Sequence, residues 1–103
     1  MKDDEIKILK KLILQKLVRA NVWGGKHIPL DFVIKVVPEH YRNTHQGKKA
    51  VEKTLKELRN DELIIILTKR TGEGSDEHVS LNQKKIGEIK QFIEMTLERK
   101  SDE

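Results

Sequence analysis

The stretch THQGKKAVEKTLKELRN, Thr44 to Asn60, decides how the rest of the chain is read. Val51, Leu55 and Leu58 recur at helical spacing and form one narrow apolar stripe, while His45, Gln46, Lys49, Lys53 and Lys56 project from the opposite side. Thr44 precedes the periodic segment and is the expected N-cap, its side-chain oxygen accepting a backbone N–H of the first turn. Gly47 falls on the apolar side, where it either permits a close crossing by the preceding helix or simply belongs to the loose first turn. From Tyr41 to Asn60 six Lys or Arg stand against two Glu, so one face is made for a core and the other is cationic.

Downstream of this helix, Glu62–Lys69 (ELIIILTK) is the most obvious strand in the chain. Thr71–Glu77 is a polar, glycine-containing connector, and His78–Leu81 is a short second strand; together they predict a β-hairpin with a mobile tip. Asn82 is positioned to cap a final helix with the stripe Ile86, Ile89, Ile93 and Leu97, from which Phe92 and Met95 stand apart. Residues 99–103 are expected to fray, leaving one domain over 1–98.

Upstream, Asp3 and Asp4 suit the N-terminus of a first helix that runs to about Ala20. Its main stripe is Ile6, Leu9, Ile13, Leu17 and Ala20, and Ile8 with Leu12 forms a second one. The paired glycines in Asn21-Val22-Trp23-Gly24-Gly25 are expected to end this helix, and Lys26-His27-Ile28 to run extended before Pro29. A second helix follows over 30–37 with Phe32, Val33, Val36 and Val37 inward; Pro38 stops it, and 38–43 form a turn.

The 103 residues, 36% hydrophobic and 37% charged, allow one small globular core and exclude a cofactor domain beside a substrate domain. No apolar run approaches the roughly 18–20 residues that span a bilayer, and the acidic, lysine-interrupted N-terminus does not resemble a signal peptide, so a cytoplasmic protein is expected. The absence of cysteine excludes disulfides, thiol nucleophiles and cysteine zinc sites. Residues 1–60 hold 14 basic and seven acidic side chains, residues 61–103 seven and ten, an asymmetry that suits one end to a polyanion.

Helix, short extended piece, helix, turn, helix, strand, loop, strand, helix: across nearly the whole chain this order resembles a winged helix-turn-helix protein of the small archaeal kind. More narrowly, Trp23-Gly24-Gly25-Lys26-His27, Pro38-Glu39-His40 and Val79-Ser80-Leu81-Asn82 resemble a group of short archaeal proteins that offers no activity to carry over. The resemblance implies an α+β, mostly helical fold with a two-stranded β-hairpin wing and an additional C-terminal helix. It further implies a DNA-binding transcription regulator whose third helix, 44–60, enters the major groove of double-stranded DNA, buttressed by the helix before it. On that reading Lys49, Lys53 and Lys56 face DNA, and His45 and Gln46 reach base edges. Arg42, Asn43, Thr44 and Lys48 meet phosphates beside the helix N-terminus, and Lys69 and Arg70 flank the wing. Each lysine read singly is also an ordinary solvated side chain; the cluster carries the argument.

Glu73, Asp76 and Glu77 run against this reading, because an acidic wing repels phosphate unless it points away. The alternatives are a protein-interaction module and, behind it, RNA binding. Glu52 is expected to pair along the helix with Lys48, Lys49 or Lys56, the other option being a cytosine amino group. No HExxH, GxxxxGK[ST] or Gly-x-Ser-x-Gly motif occurs, and neither an enzyme nor a cofactor is expected. His27, His40, His45 and His78 do not stand at metal-ligand spacing, so no metal site is expected, and His27 and Trp23 are assigned structural roles. The spare apolar residues Ile8, Leu12, Phe92 and Met95 serve either a homodimer or the mutual packing of the terminal helices.

Overall fold

The computed structural model describes the backbone of residues 3–71 and 74–101 and the side chains of 4–68 and 76–95. Helix α1 (Asp3–Ala20) buries Ile6, Leu9, Ile13, Leu14 and Leu17, whereas Ala20 is exposed. The glycines do not end it. Asn21 takes a left-handed conformation (φ 57°), and its N–H and that of Val22 turn back to the carbonyls of Val18 and Leu17. Asparagine tolerates that region better than most residues, and the buried Leu17 and Val22 close the end with an apolar contact. Gly24 (φ 62°) makes the next bend.

Strand β1 (Ile28–Pro29) leads directly into α2 (Leu30–Ile34), which is shorter than the periodicity predicts. Residues 35–37 continue as a turn, burying Val33 and Val37 but leaving Phe32 52% exposed beneath the Lys35 ammonium, 5.1 Å from the ring centroid. The expected turn at 38–43 is instead helix α3 (Glu39–Asn43): Pro38, fixed near helical φ, starts it, and Tyr41 N–H donates to the Pro38 carbonyl. Only Thr44 separates α3 from α4 (His45–Asn60), so α3 rather than α2 is the helix laid against α4. Gly47 marks their crossing. A β-carbon there would come within 2.5 Å of the Tyr41 carbonyl oxygen, which explains why the position is buried and lacks a side chain.

The far end of α4 mirrors that of α1. Glu62 adopts φ 64°, its N–H bonds the Arg59 carbonyl and that of Leu63 the Leu58 carbonyl, reversing the chain into β2 (Ile64–Thr71). β2 pairs antiparallel with β3 (Gly74–Leu81) from Ile64↔Leu81 to Thr71↔Gly74. Both strands thus run through the expected 71–77 connector as far as Thr71 and Gly74. β1 adds to the other edge of β3 through Ile28↔Val79 and Pro29↔His78, so the expected two-stranded hairpin is a three-stranded antiparallel sheet in the order β1-β3-β2. The buried Ser80 hydroxyl, shared between the Val22 and Gly24 carbonyls at 3.1 and 3.0 Å, ties the segment after α1 to this sheet.

Asn82 caps as expected, although its side chain accepts from Lys84 N–H in a 3₁₀ turn (Gln83–Lys85) that precedes α5 (Ile86–Ser101). The buried side of α5 is rotated from the predicted stripe toward Phe92: Ile89 and Ile93 are buried, Phe92 packs against the core, and Ile86 is exposed. The Leu97 and Asp3 side chains lie outside the described residues. The whole is an α+β, mostly helical domain around one core, and no described helix is long and apolar enough to cross a membrane.

Two substitutions test this account. Gly47→Ala is expected to destabilise by about 1–3 kcal/mol, since the new methyl group meets backbone that cannot rotate away; an unchanged urea midpoint would mean that α3 and α4 part freely. Glu62→Gly is expected to stabilise by about 0.5–1 kcal/mol by relieving the left-handed conformation, and a lower thermal midpoint would contradict it.

Candidate nucleic-acid interface

Helix α4 has two chemically distinct sides. Gly47, Ala50, Val51, Thr54, Leu55 and Leu58 are buried, and Thr54 conceals its hydroxyl by donating to the Ala50 carbonyl at 2.8 Å. On the other side His45, Gln46, Lys48, Lys49, Glu52, Lys53, Lys56 and Arg59 are all exposed. Thr44 acts at both ends of the junction: its hydroxyl accepts from Gly47 N–H at 3.0 Å and donates to the His40 carbonyl at 2.9 Å. One side chain therefore caps α4 and closes α3, fixing the direction in which α4 leaves.

Beside that junction an open cleft of about 560 Å³ is lined by Glu5, His40, Tyr41, Thr44, Gln46 and Lys49, among others. The His40 ring meets that of Tyr41 at a 37° tilt with centroids 4.3 Å apart. Burial pushes the Tyr41 hydroxyl above its ordinary pKa, and the Glu5 carboxylate adds to the shift, so the group remains a neutral donor at physiological pH.

Among the described residues Lys48, Lys49, Lys53, Lys56 and Arg59 make no ion pair, and the expected pairing of Glu52 along the helix does not form. Glu57 is the acid that is neutralised, by Lys10 of α1 at 2.8 Å. That hydrogen bond from the Lys10 ammonium holds the Glu57 carboxyl below the usual range against the opposing effect of burial, with Coulomb contributions from Lys10 and Lys53. The pair joins the flanks of α1 and α4 and removes one negative charge from the field of the exposed lysines.

Arg42, Asn43 and Thr44 are exposed at the α3–α4 junction, continuous with His45, Gln46 and Lys48, so the structure brings nine of the expected contact residues onto two adjoining helices and their junction when Lys49, Lys53 and Lys56 are included. Lys69 and Arg70 occupy β2 opposite Asp76 and Ser75; their side chains, and all of Glu73, lie outside the described residues. Asp76 and Glu77 are exposed on β3. Of the four residues expected at a dimer contact, Ile8 and Met95 keep 52% and 57% of their surface, whereas Leu12 and Phe92 are half-buried within the chain, where α1 and α5 pack on each other.

Three participants were missed by sequence reasoning. Arg59 extends the cationic side by one turn and was visible from its spacing to Lys56 and Lys49. The Lys10–Glu57 pair and a contact between His27 and His78 join segments distant in sequence, and neither has a local signal. No family model matches the chain, and no curated protein matches it in sequence.

Because the folded value of Glu57 is depressed, its stabilising pairing is present above the unfolded carboxyl range and is lost as pH falls through the folded value. Lys10→Met is therefore expected to lower the thermal midpoint slightly at neutral pH, the gap from the parent closing as pH drops below about 4. A gap that persists in acid would dissociate the effect from the ion pair.

Proposed function

We propose that this chain is a winged-helix DNA-binding protein, a transcription regulator that lays the exposed side of α4 in the major groove of double-stranded DNA. The observation that carries the reading is the row of exposed cations on α4, Lys48, Lys49, Lys53, Lys56 and Arg59, none of them tied into an ion pair among the described residues. Cations left free in this way can displace condensed counterions from phosphates. His45 and Gln46, at the outward start of the helix, carry the donors and acceptors that read base edges, and Arg42, Asn43 and Thr44 stand where backbone phosphates would flank them.

The three-stranded sheet in the order β1-β3-β2, with its long β2–β3 hairpin following the cationic helix, supports the winged-helix assignment. Exposed Asp76 and Glu77 argue that this hairpin does not lie along a phosphate strand, so α4 and the α3–α4 junction supply most of the hold. The same acids favour the second reading, a protein-interaction module, in which α4 meets an acidic partner surface instead.

Fluorescence anisotropy with a mixed-sequence duplex at low and moderate salt separates the two. Binding is expected to weaken steeply with salt, and the double variant Lys49→Ala, Lys53→Ala to reduce the log–log salt slope by about 2. Absence of salt-sensitive binding, or a double variant that binds like the parent, defeats the DNA reading.

A further inference from the structure

His27 and His78 take no part in the proposed docking, yet the fold brings them together from 51 residues apart, Nδ1 facing Nδ1 at 3.0 Å. Their rings stand at 87° with centroids 4.8 Å apart. A straight N–H···N bond between two imidazoles would separate the centroids by about 5.3 Å, because each ring centre lies about 1.2 Å behind its nitrogen. The shorter separation means that the hydrogen bond is bent, with the rings tilted off the N···N line toward the arrangement two imidazoles take around a third atom. Two nitrogens each about 2.0–2.1 Å from one zinc ion, at angles between square and tetrahedral, lie about 2.9–3.4 Å apart. The observed distance falls in that range.

The surroundings are those of a cation. Asp31, Thr68, Asp76, Glu77 and His78 line an open cleft of about 480 Å³ at the base of the hairpin. Asp76 is two residues from His78 on β3 and so shares its side of the strand. Of the two half-buried histidines His78 lines this cleft, and the exposed carboxylates of Asp31 and Asp76 supply negative potential and oxygen atoms beside it. Among the described residues no lysine or arginine lines it; Lys69, across the strand pair from Asp76, has a side chain outside them.

We propose that His27 and His78 are the two protein nitrogens of a binding site for a borderline divalent metal ion of the zinc class, its remaining positions filled by water and carboxylate oxygen. Among the described residues no group of three or more His, Cys, Asp or Glu side chains is set to hold a metal, so this is a two-histidine site that binds zinc more weakly than a four-ligand structural site. Imidazole nitrogens select zinc, nickel or copper over magnesium and calcium. A bound ion would add a clamp between the segment before β1 and β3, beside the two-residue strand β1 and the Ser80 and Leu81 hydrogen bonds.

Titration of the full chain with zinc chloride in a non-coordinating buffer tests the assignment, read from the ring nitrogens in a long-range ¹H–¹⁵N correlation spectrum. Saturable one-to-one binding is expected, with the His27 and His78 nitrogens shifting and those of His40 and His45 unmoved. His27→Gln or His78→Gln should weaken binding at least about tenfold, while the combined His40→Gln, His45→Gln variant should bind as the parent does. The parent spectrum decides the matter even if a single variant fails to fold. Ring nitrogens of His27 and His78 that ignore a tenfold excess of zinc, or binding that survives their replacement, overturn the site.

Discussion

The crossing of α3 over α4 at Gly47 is the constraint on which the exposed surface depends. Because the Tyr41 backbone occupies the space a side chain would fill, the two helices lie closer than any other residue at position 47 would allow. Thr44 then has one conformation in which it serves both, accepting from Gly47 and donating to the His40 carbonyl. The direction of α4 is set by those two short-range facts before its apolar stripe meets the core. Leu58 and the Leu63 reversal hold the far end, and Asn82 secures that reversal through its side-chain amide, 2.7 Å from the Glu62 carbonyl. A helix gripped at both ends presents its outer side chains as a fixed array, which recognition of a rigid, periodic ligand requires.

The sheet is organised around β3. Among the described strands it alone is paired on both sides, and through Leu81 and Ser80 it also binds the segment after α1: Leu81 N–H donates to the Val22 carbonyl at 2.8 Å, and Gly24 N–H donates to the Leu81 carbonyl. The start of the chain and its last third are thereby stitched together across a single strand. β1 stops at two residues because Pro29 has no N–H to continue the ladder and its fixed φ begins α2 at once.

Sequence periodicity revealed what depends on one segment alone. The bounds of α1 and α4, the Thr44 and Asn82 caps and the polar side of α4 follow from side-chain spacing and local hydrogen bonding, and all appear where the residues put them. What was hidden depends on a partner elsewhere. Residues 74–77 have the composition of a loop and become strand because 68–71 lie opposite them. Phe32 looks like core, yet α2 turns Val33 inward and leaves Phe32 outside. The helix end at Asn21 was assigned to the glycines beyond it, since a left-handed asparagine has no mark in the sequence that an ordinary loop asparagine lacks. At the candidate site the same division holds: the exposed cations were legible, whereas the neutralisation of Glu57 by Lys10, and the encounter of His27 with His78, exist only in the folded chain.

The first turn of α4 offers a separate argument about what its surface is for. Four unpaired N–H groups and the positive end of the helix dipole ordinarily attract Asp or Glu, each worth about 0.3–1 kcal/mol. α4 has no acid there; its first residues are His45, Gln46 and Gly47, followed directly by Lys48 and Lys49. Thr44 satisfies the Gly47 N–H, and no carboxylate of the helix's own first turn offsets the dipole. Isolated stability would favour an acid at position 46, because it would offset the dipole and pair with Lys49. The chain instead concentrates positive potential at the junction: the first acid of α4, Glu52, comes two turns in, and Glu57 is turned against α1. A helix start left short of negative charge by its own sequence is stabilised when an anion arrives from outside, and in the proposed docking that anion is a backbone phosphate lying against Arg42, Asn43 and Thr44.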